Sequence, residues 1–204
     1  MKRFVPFTTA IVLSCVVAGS VSAYVLLSPR RTWDSPPNLI VDTRGLASVT
    51  DGDLGRTRTR NAINTAWNGA GTGTRINATV GSVSGWAMGD GRPMLNFTDP
   101  VHACTGSCLA ATFTGYYQSR GNGTYRITDA DMVTNSTGYN WASAGEACSS
   151  EIYVEGVMVH ETGHLLGLGH SSVAGATMYP SVAYCDNGPS TLATDDRNAI
   201  NDLY

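Results

Sequence analysis

The segment from Val157 to Pro180, VMVHETGHLLGLGHSSVAGATMYP, contains three of the four histidines of this 204-residue chain. His160 and His164 are four residues apart, so on a helix they project from one face and can bind a single ion. Gly167 can take the positive φ that a sharp exit from the helix requires, which allows His170 to return as a third ligand. Three imidazoles favour a zinc ion whose fourth position stays open for water.

Glu161 follows the first of these histidines, where its carboxylate can reach the water rather than the metal. Zinc lowers the pKa of its bound water from about 16 to about 7, and Glu161 would take the water's proton and deliver it to the leaving amine. The predicted reaction is hydrolysis of a peptide bond. The alternative is a non-catalytic zinc-binding or adhesion module, or a zinc site used structurally. A structural site needs a fourth protein ligand, for which the sequence offers no candidate.

Three helices are predicted around or near this segment. Residues that can act as N-caps precede two of them, and apolar residues on one side define the third. The predicted helices are Arg58 to Trp67, Glu151 to about Leu166 with Ser149 and Ser150 as caps, and Asp195 to Tyr204 with Thr194 as cap.

Strands are predicted where β-branched and aromatic residues are bounded by Gly, Asn or Pro. They are Asn38 to Asp42, Met94 to Asp99, Leu109 to Gln118 and Thr124 to Val133. Together with the helices they predict an α+β fold in one domain, residues 24–204. A composition of 42% hydrophobic and 14% charged residues is consistent with one sizeable core.

The first 23 residues are typical of an export signal. A basic start is followed by a short apolar run, Ile11 to Val17, and by the small-residue site Val21 to Ala23, which predicts a cut after Ala23. The apolar run is shorter than the roughly 20 residues that span a bilayer, so we predict a secreted protein with no membrane anchor. The alternatives are an N-terminal membrane anchor and lipid attachment at Cys15.

The charge of the predicted mature chain argues against one class of partner. Removal of Lys2 and Arg3 leaves 13 − 2 = 11 basic residues against 16 acidic ones, a net charge near −5. No basic patch favours nucleic acid. We expect a monomer whose partners are protein or peptide substrates.

Four cysteines remain after the predicted cut: Cys104, Cys108, Cys148 and Cys185. An even number in an oxidising compartment predicts disulfides, and three pairings are formally available. We favour Cys104–Cys108 as a small closed loop and Cys148–Cys185 as a longer link around the histidine segment. The alternative, a zinc site built from cysteines, is disfavoured because neither pair has a second matching pair.

The motif HETGHLLGLGH resembles the extended zinc motif of the metzincin peptidases and, within them, of the matrixins, the family of the matrix metalloproteinases. The following SSVAGATMYP resembles the matrixin Met-turn, which would place Met178 beneath the metal. LATDDRNAINDLY resembles the helix that ends the matrixin catalytic domain, and ITDADMV the strand that lines its cleft. The resemblance implies the metzincin (zincin-like) fold, a twisted mixed sheet with an active-site helix and a C-terminal helix, and one catalytic zinc. It also implies that one of Asp195 and Asp196 anchors the N-terminus while the other braces the Met-turn.

The resemblance further implies an S1′ pocket, which receives the substrate side chain just after the cleaved bond, the P1′ residue. The family has a pocket residue four positions before the first zinc histidine, here Gly156, and a pocket wall that would include Pro180 and Val182. A glycine there implies a deep pocket that prefers long apolar P1′ residues. The alternative is that Gly156 only lets another element pack closely on the helix.

Calcium is a further candidate cofactor. Asp90, Asp99, Asp129 and Asp131 are the carboxylates that could bind it, although surface carboxylates are usually only solvated. The second, structural zinc of many matrixins needs several histidines, and only His102 remains outside the motif. We therefore expect one zinc and an ordinary role for His102.

Overall fold

The computed structural model describes residues 24–69, 71–83 and 87–204, together with the backbone of residues 4–6. Cys15 and the cut after Ala23 lie outside the described residues, as does most of the export signal predicted for residues 1–23. The described strands are β1 (Phe4–Pro6), β2 (Tyr24–Leu26), β3 (Arg31–Thr32), β4 (Asn38–Asp42), β5 (Asn77–Gly81), β6 (Met94–Asn96), β7 (Ala110–Ser119), β8 (Tyr125–Thr134), β9 (Trp141–Ala142), β10 (Ile152–Tyr153), β11 (Leu168–Ser171) and β12 (Ser181–Ala183). The helices are α1 (Arg56–Trp67), α2 (Val154–Leu166) and α3 (Thr194–Leu203), with a 3-10 helix at Gly188–Ser190.

The main sheet has six strands and is mixed. β4 lies between β5 and β6, and β8 lies beside β6 and β3, and all of these pairs are parallel. β7 pairs antiparallel with β8, with Ala110 opposite Thr134 and Ser119 opposite Tyr125. The predicted α+β class with a mixed sheet is therefore confirmed, and β7 continues the sheet beyond β8.

The core lies between this sheet and helices α1 and α2. The last six residues of β8 are buried, as are all three of β6, as expected for strands covered on both faces. The largest fully buried side chains include Trp67, Trp141 and Phe97. Every residue of α2 is buried, so the helix that carries the histidines runs through the interior of the domain.

The predicted start of the central helix was wrong. Helix α2 begins at Val154 rather than Glu151, because the two preceding residues form β10, parallel to β9. Ser149 and Ser150 do not cap it. Their backbone N–H groups instead donate to the Glu151 carboxylate at 2.6 and 2.9 Å.

Two other expectations also needed correction. Thr194 is the first residue of α3 rather than its cap; the backbone N–H of the preceding Ala193 donates to the Asp196 carboxylate at 2.8 Å. Strand β5 was not predicted, since it follows a glycine-rich passage and has only one buried residue, Ala78. The four strands predicted from the sequence are present within one to three residues at each end.

The described residues form two disulfides, Cys104–Cys108 and Cys148–Cys185, the pairing favoured from the sequence. The first lies in a small apolar cluster with Ala111 and Val133. The second joins the segment before α2 to the loop after β12. Among the described residues, no helix is long and apolar enough to cross a bilayer.

Candidate active site

The three histidines converge because α2 ends sharply. Gly167 closes the helix with φ 109°, a conformation that L side chains rarely adopt, and its N–H donates to the carbonyl of His164 at 3.0 Å. The chain then returns as β11, which carries His170 and pairs antiparallel with β2. The ligand atoms of His160, His164 and His170 all lie within 4.8 Å of one another.

The arrangement fits zinc. His160 Nε2 and His164 Nε2 are 3.1 Å apart, close to the roughly 3.3 Å expected for two nitrogen ligands of a tetrahedral zinc ion. Backbone carbonyls orient both rings: Nδ1–H of His160 donates to Thr177 O at 2.7 Å, and Nδ1–H of His164 donates to Leu168 O at 2.8 Å. These bonds leave each Nε2 lone pair for a metal, as is usual for histidine ligands.

Burial also prepares these imidazoles for metal binding. Burial first, and then the charge of neighbouring imidazoles, lower the pKa of His160 well below its usual range and that of His164 to about 3. Burial lowers the pKa of His170 as well. The three rings are therefore neutral near pH 7, the form that binds a metal ion. Within the described residues, the group that contains them has no fourth side-chain ligand.

Glu161 is held by a residue that the sequence did not reveal. Its side chain is buried, and the Thr112 hydroxyl of β7 donates to Glu161 Oε2 at 2.5 Å. Burial raises the pKa of the Glu161 carboxyl to about 8, while the Thr112 hydrogen bond acts in the opposite direction. The cation of an occupied site would lower this pKa, because an adjacent positive charge favours the carboxylate.

Met178 packs directly against α2. A Cβ atom at Gly163 would overlap Met178 Sδ and lie 3.0 Å from Trp67 Cζ2, so only glycine allows this approach. Asp196 fixes the turn, because its carboxylate accepts hydrogen bonds from the backbone N–H groups of Thr177 at 2.8 Å and Met178 at 3.0 Å. This is the bracing that the resemblance implies for one of the two aspartates.

Asp195, the other aspartate, accepts a hydrogen bond from Ser171 Oγ at 2.6 Å. Ser171 ends strand β11 and lies opposite Tyr24 in the pairing with β2. Of the two aspartates at the start of α3, one therefore contacts the Met-turn and the other contacts the end of β11, the strand that carries His170.

A cavity of about 560 Å³ lies beside the Met-turn. Residues from two segments, 174–182 and 186–189, line it. Val182 lines it, and Pro180 lies between the lining residues Tyr179 and Ser181. Gly156 is not among the residues that line this cavity. A Cβ atom at this position would lie 3.4 Å from Pro189 Cβ, and Pro189 itself lines the cavity.

Comparison with known proteins agrees with this geometry. The sequence profile of the matrixin family matches residues 95–204, more than half of the chain. The chain belongs to the matrixin family. The match begins in β6 and includes the histidines, the Met-turn and α3.

Individual matrixin relatives match shorter stretches. Metalloendoproteinase 1 of Glycine max is 44% identical over 72 residues, 31% of this chain and 22% of the relative. Metalloendoproteinase 1-MMP of Arabidopsis thaliana is 64% identical over 62 residues, 28% of this chain and 16% of the relative. Neutrophil collagenase of Homo sapiens is 46% identical over 48 residues, 24% of this chain and 10% of the relative. The matches therefore cover less than a quarter of the length of each of these relatives.

Buried carboxylates form a second polar site in this matrixin domain. Asp129 and Asp131 on β8 are each only 1% exposed, and one oxygen of each has no hydrogen-bond partner among the residues that the structure describes. The other oxygens accept hydrogen bonds from the backbone N–H groups of Gly89 at 2.6 Å and Met94 at 3.2 Å. Burial first, and then the charge of Asp129, raise the pKa of Asp131 to about 7.

The remaining sequence candidates take other roles. Asp90 lies near enough to Asp129 and Asp131 for its charge to raise the pKa of both. Asp99 lies in the loop after β6; one of its oxygens accepts a hydrogen bond from the backbone N–H of Cys104 at 2.6 Å, and the other is buried without a partner among the described residues. His102 is exposed and does not belong to the histidine group.

Proposed function

We propose that this matrixin is a secreted zinc-dependent endopeptidase, with residues 24–204 as the catalytic domain after a cut behind Ala23. The observation that carries the proposal is the histidine group. Three neutral imidazoles converge on one point, a glutamate follows the first of them, and the described group has no fourth side-chain ligand. A site with three protein ligands keeps a position open for chemistry, whereas structural zinc sites are closed by four.

The protein groups around the histidines have distinct roles in this proposal. Bound zinc supplies a Lewis acid that polarises the scissile carbonyl and activates water. Glu161 accepts the proton of the attacking water and returns it to the leaving amine. Thr112 orients the Glu161 carboxylate and favours its charged form through the 2.5 Å hydrogen bond. The buried surroundings exclude bulk water, which strengthens these electrostatic interactions.

The cavity beside the Met-turn is the proposed S1′ pocket. Its lining includes apolar residues, among them Val182 and Pro189, and its volume of about 560 Å³ is sufficient for a long side chain. We therefore expect long apolar P1′ residues such as Leu, Met or Phe to be preferred. Gly156 would contribute indirectly, since it lies where Pro189 packs on α2.

The buried carboxylates of β8 are the proposed calcium site. Calcium binds oxygen ligands, and Asp129 and Asp131, which lie close enough for the charge of one to raise the pKa of the other, each offer a buried oxygen without a partner among the described residues. Among the four sequence candidates, the proposal retains these two together with Asp90.

The zinc mechanism is tested by metal removal and by Glu161→Gln. Purified protein should contain one zinc per chain, lose peptide cleavage to a zinc chelator and regain it when zinc is restored. Glu161→Gln should keep the zinc, because Glu161 is not one of the proposed metal ligands. Its turnover should fall about 10²- to 10⁴-fold, because the general base is lost. Chelator-insensitive cleavage, or a variant near the wild-type rate, would contradict the mechanism.

A further inference from the structure

The outer wall of the proposed S1′ pocket is a loop, residues 184–190, that leads from β12 through the 3-10 helix. Asp186, Gly188 and Pro189 of this loop line the cavity. The loop contains no strand, and its only helix is the three-residue 3-10 turn. Its position therefore depends on the contacts that join it to the rest of the domain.

The first contact is covalent. Cys185 is linked to Cys148, which lies 37 residues earlier in the segment that leads into α2. The backbone N–H of Cys185 also donates to Glu151 O of that segment at 3.0 Å. Cys185 has φ 58°, in the left-handed region that is uncommon for non-glycine residues, so the surrounding contacts hold its backbone in place.

The second contact is the packing of the 3-10 helix on α2. A Cβ atom at Gly156 would lie 3.4 Å from Pro189 Cβ and 3.6 Å from Ser190 N. The wall is therefore held near one end by the disulfide and near the other by its packing on α2. If the disulfide is lost, only the packing at Gly156 remains of these two contacts.

The two disulfides differ in their access to solvent. Cys104 and Cys108 are buried, at 2% and 3% exposed, whereas Cys148 and Cys185 are each only half-buried. Thiol–disulfide exchange requires that the attacking thiolate reach a sulfur atom, so an external thiol should reduce the half-buried disulfide first.

We propose that Cys148–Cys185 is a specificity-determining tether of the pocket wall, whose reduction relaxes P1′ selection and leaves the zinc site intact. In this exchange an external dithiol is oxidised to its disulfide while Cys148 and Cys185 become two thiols. The zinc site should persist because its ligands are oriented by the carbonyls of Thr177 and Leu168, outside the loop. The proposal rests on the peptidase function proposed above.

The test compares P1′-randomised peptide libraries cleaved by the wild type and by the Cys148→Ala/Cys185→Ala double variant, at equal zinc content. A fitted apolar pocket separates side chains that differ by one methylene by about 10- to 200-fold. We expect the double variant to reduce the ratio between favoured and disfavoured P1′ residues at least about fivefold. The Cys104→Ala/Cys108→Ala double variant is the control and should keep the wild-type ratio.

Two outcomes would contradict the proposed tether. One is a P1′ profile of the double variant that is identical to wild type, and the other is a change in the profile that is accompanied by loss of zinc. If the double variant does not fold, wild-type protein with this disulfide selectively reduced and alkylated takes its place.

Hydrogen exchange adds a readout that does not depend on cleavage. Reduction should increase exchange over residues 184–190 and leave α2 unchanged, and unaltered exchange in the loop would also reject the tether. A wild type that cleaves no peptide would contradict the proposed function, while the exchange result would still decide the tether.

Discussion

Thr112 shows how one hydroxyl can set the properties of a buried carboxylate, here that of Glu161, the proposed general base. Glu161 is buried, and burial alone favours its protonated form, which cannot act as a base. The Thr112 hydroxyl donates to Oε2 and so stabilises the charged form. The Thr112 hydroxyl lies within hydrogen-bond distance of both the carboxylate and the backbone carbonyl of Glu161, so the role that we propose for Thr112 is to position and tune Glu161.

Thr112→Val should therefore shift the pH profile of cleavage rather than lower it uniformly. A hydrogen bond to a charged group contributes about 1.5–3 kcal/mol, and one pKa unit corresponds to about 1.4 kcal/mol. We expect the acid limb of kcat/KM to move up by about one unit, with a smaller effect at alkaline pH. Thr112→Ser, which keeps the hydroxyl, should restore the wild-type limb. An equal loss of rate at every pH would show that Thr112 acts only through packing.

Helix α2 illustrates which parts of this matrixin could be predicted from sequence. His160, His164 and His170 could be identified as a candidate metal site because they are close in sequence. Helical spacing places the first two on one face, and Gly167 ends the helix so that the third can return to them. Thr112 could not, because its contact with Glu161 spans 49 residues and depends on how β7 lies over the helix. The true start of α2 was missed for a similar reason, since β10 forms only by pairing with β9.

The two glycines within α2 have different neighbours, which the sequence could not show. Gly163 faces Met178 and Trp67, where a methyl group has no room, whereas Gly156 faces Pro189 at an ordinary contact distance of 3.4 Å. Alanine gains about 1 kcal/mol of helix propensity over glycine at either position.

Gly163→Ala should destabilise the domain by up to about 2 kcal/mol net, because overpacking costs about 1–3 kcal/mol and the gain in helix propensity offsets only about 1 kcal/mol of it. Gly156→Ala should be neutral or stabilising by up to about 1 kcal/mol. Urea unfolding of both variants at saturating zinc measures the difference. Equal stability of the two variants would mean that Met178 can move away from α2 without cost.

At the level of the whole domain, we expect the buried carboxylates of β8, the proposed calcium site, to link stability to both pH and calcium. The pKa of Asp131 is raised to about 7, so between its ordinary value and pH 7 the folded state binds more protons than the unfolded state. Stability in calcium-free buffer should therefore fall as the pH rises from about 4 through 7. A shift of about three units sets an upper limit of about 4 kcal/mol on this loss.

Calcium should reverse this loss, because it binds the charged carboxylates and not the protonated ones. We expect millimolar calcium to raise the urea midpoint of wild-type protein strongly at pH 8 and only slightly at pH 5, with zinc saturation held constant. Asp131→Asn should flatten the calcium-free pH dependence and weaken the calcium response, since the variant lacks the carboxylate that titrates and binds. Asp99→Asn is the matched control, because the Asp99 oxygen that accepts the Cys104 N–H is replaced by an amide oxygen that can also accept. A calcium response of equal size at pH 5 and pH 8, or one that survives Asp131→Asn unchanged, would place calcium elsewhere in the domain and leave the unpartnered oxygens of β8 without this explanation.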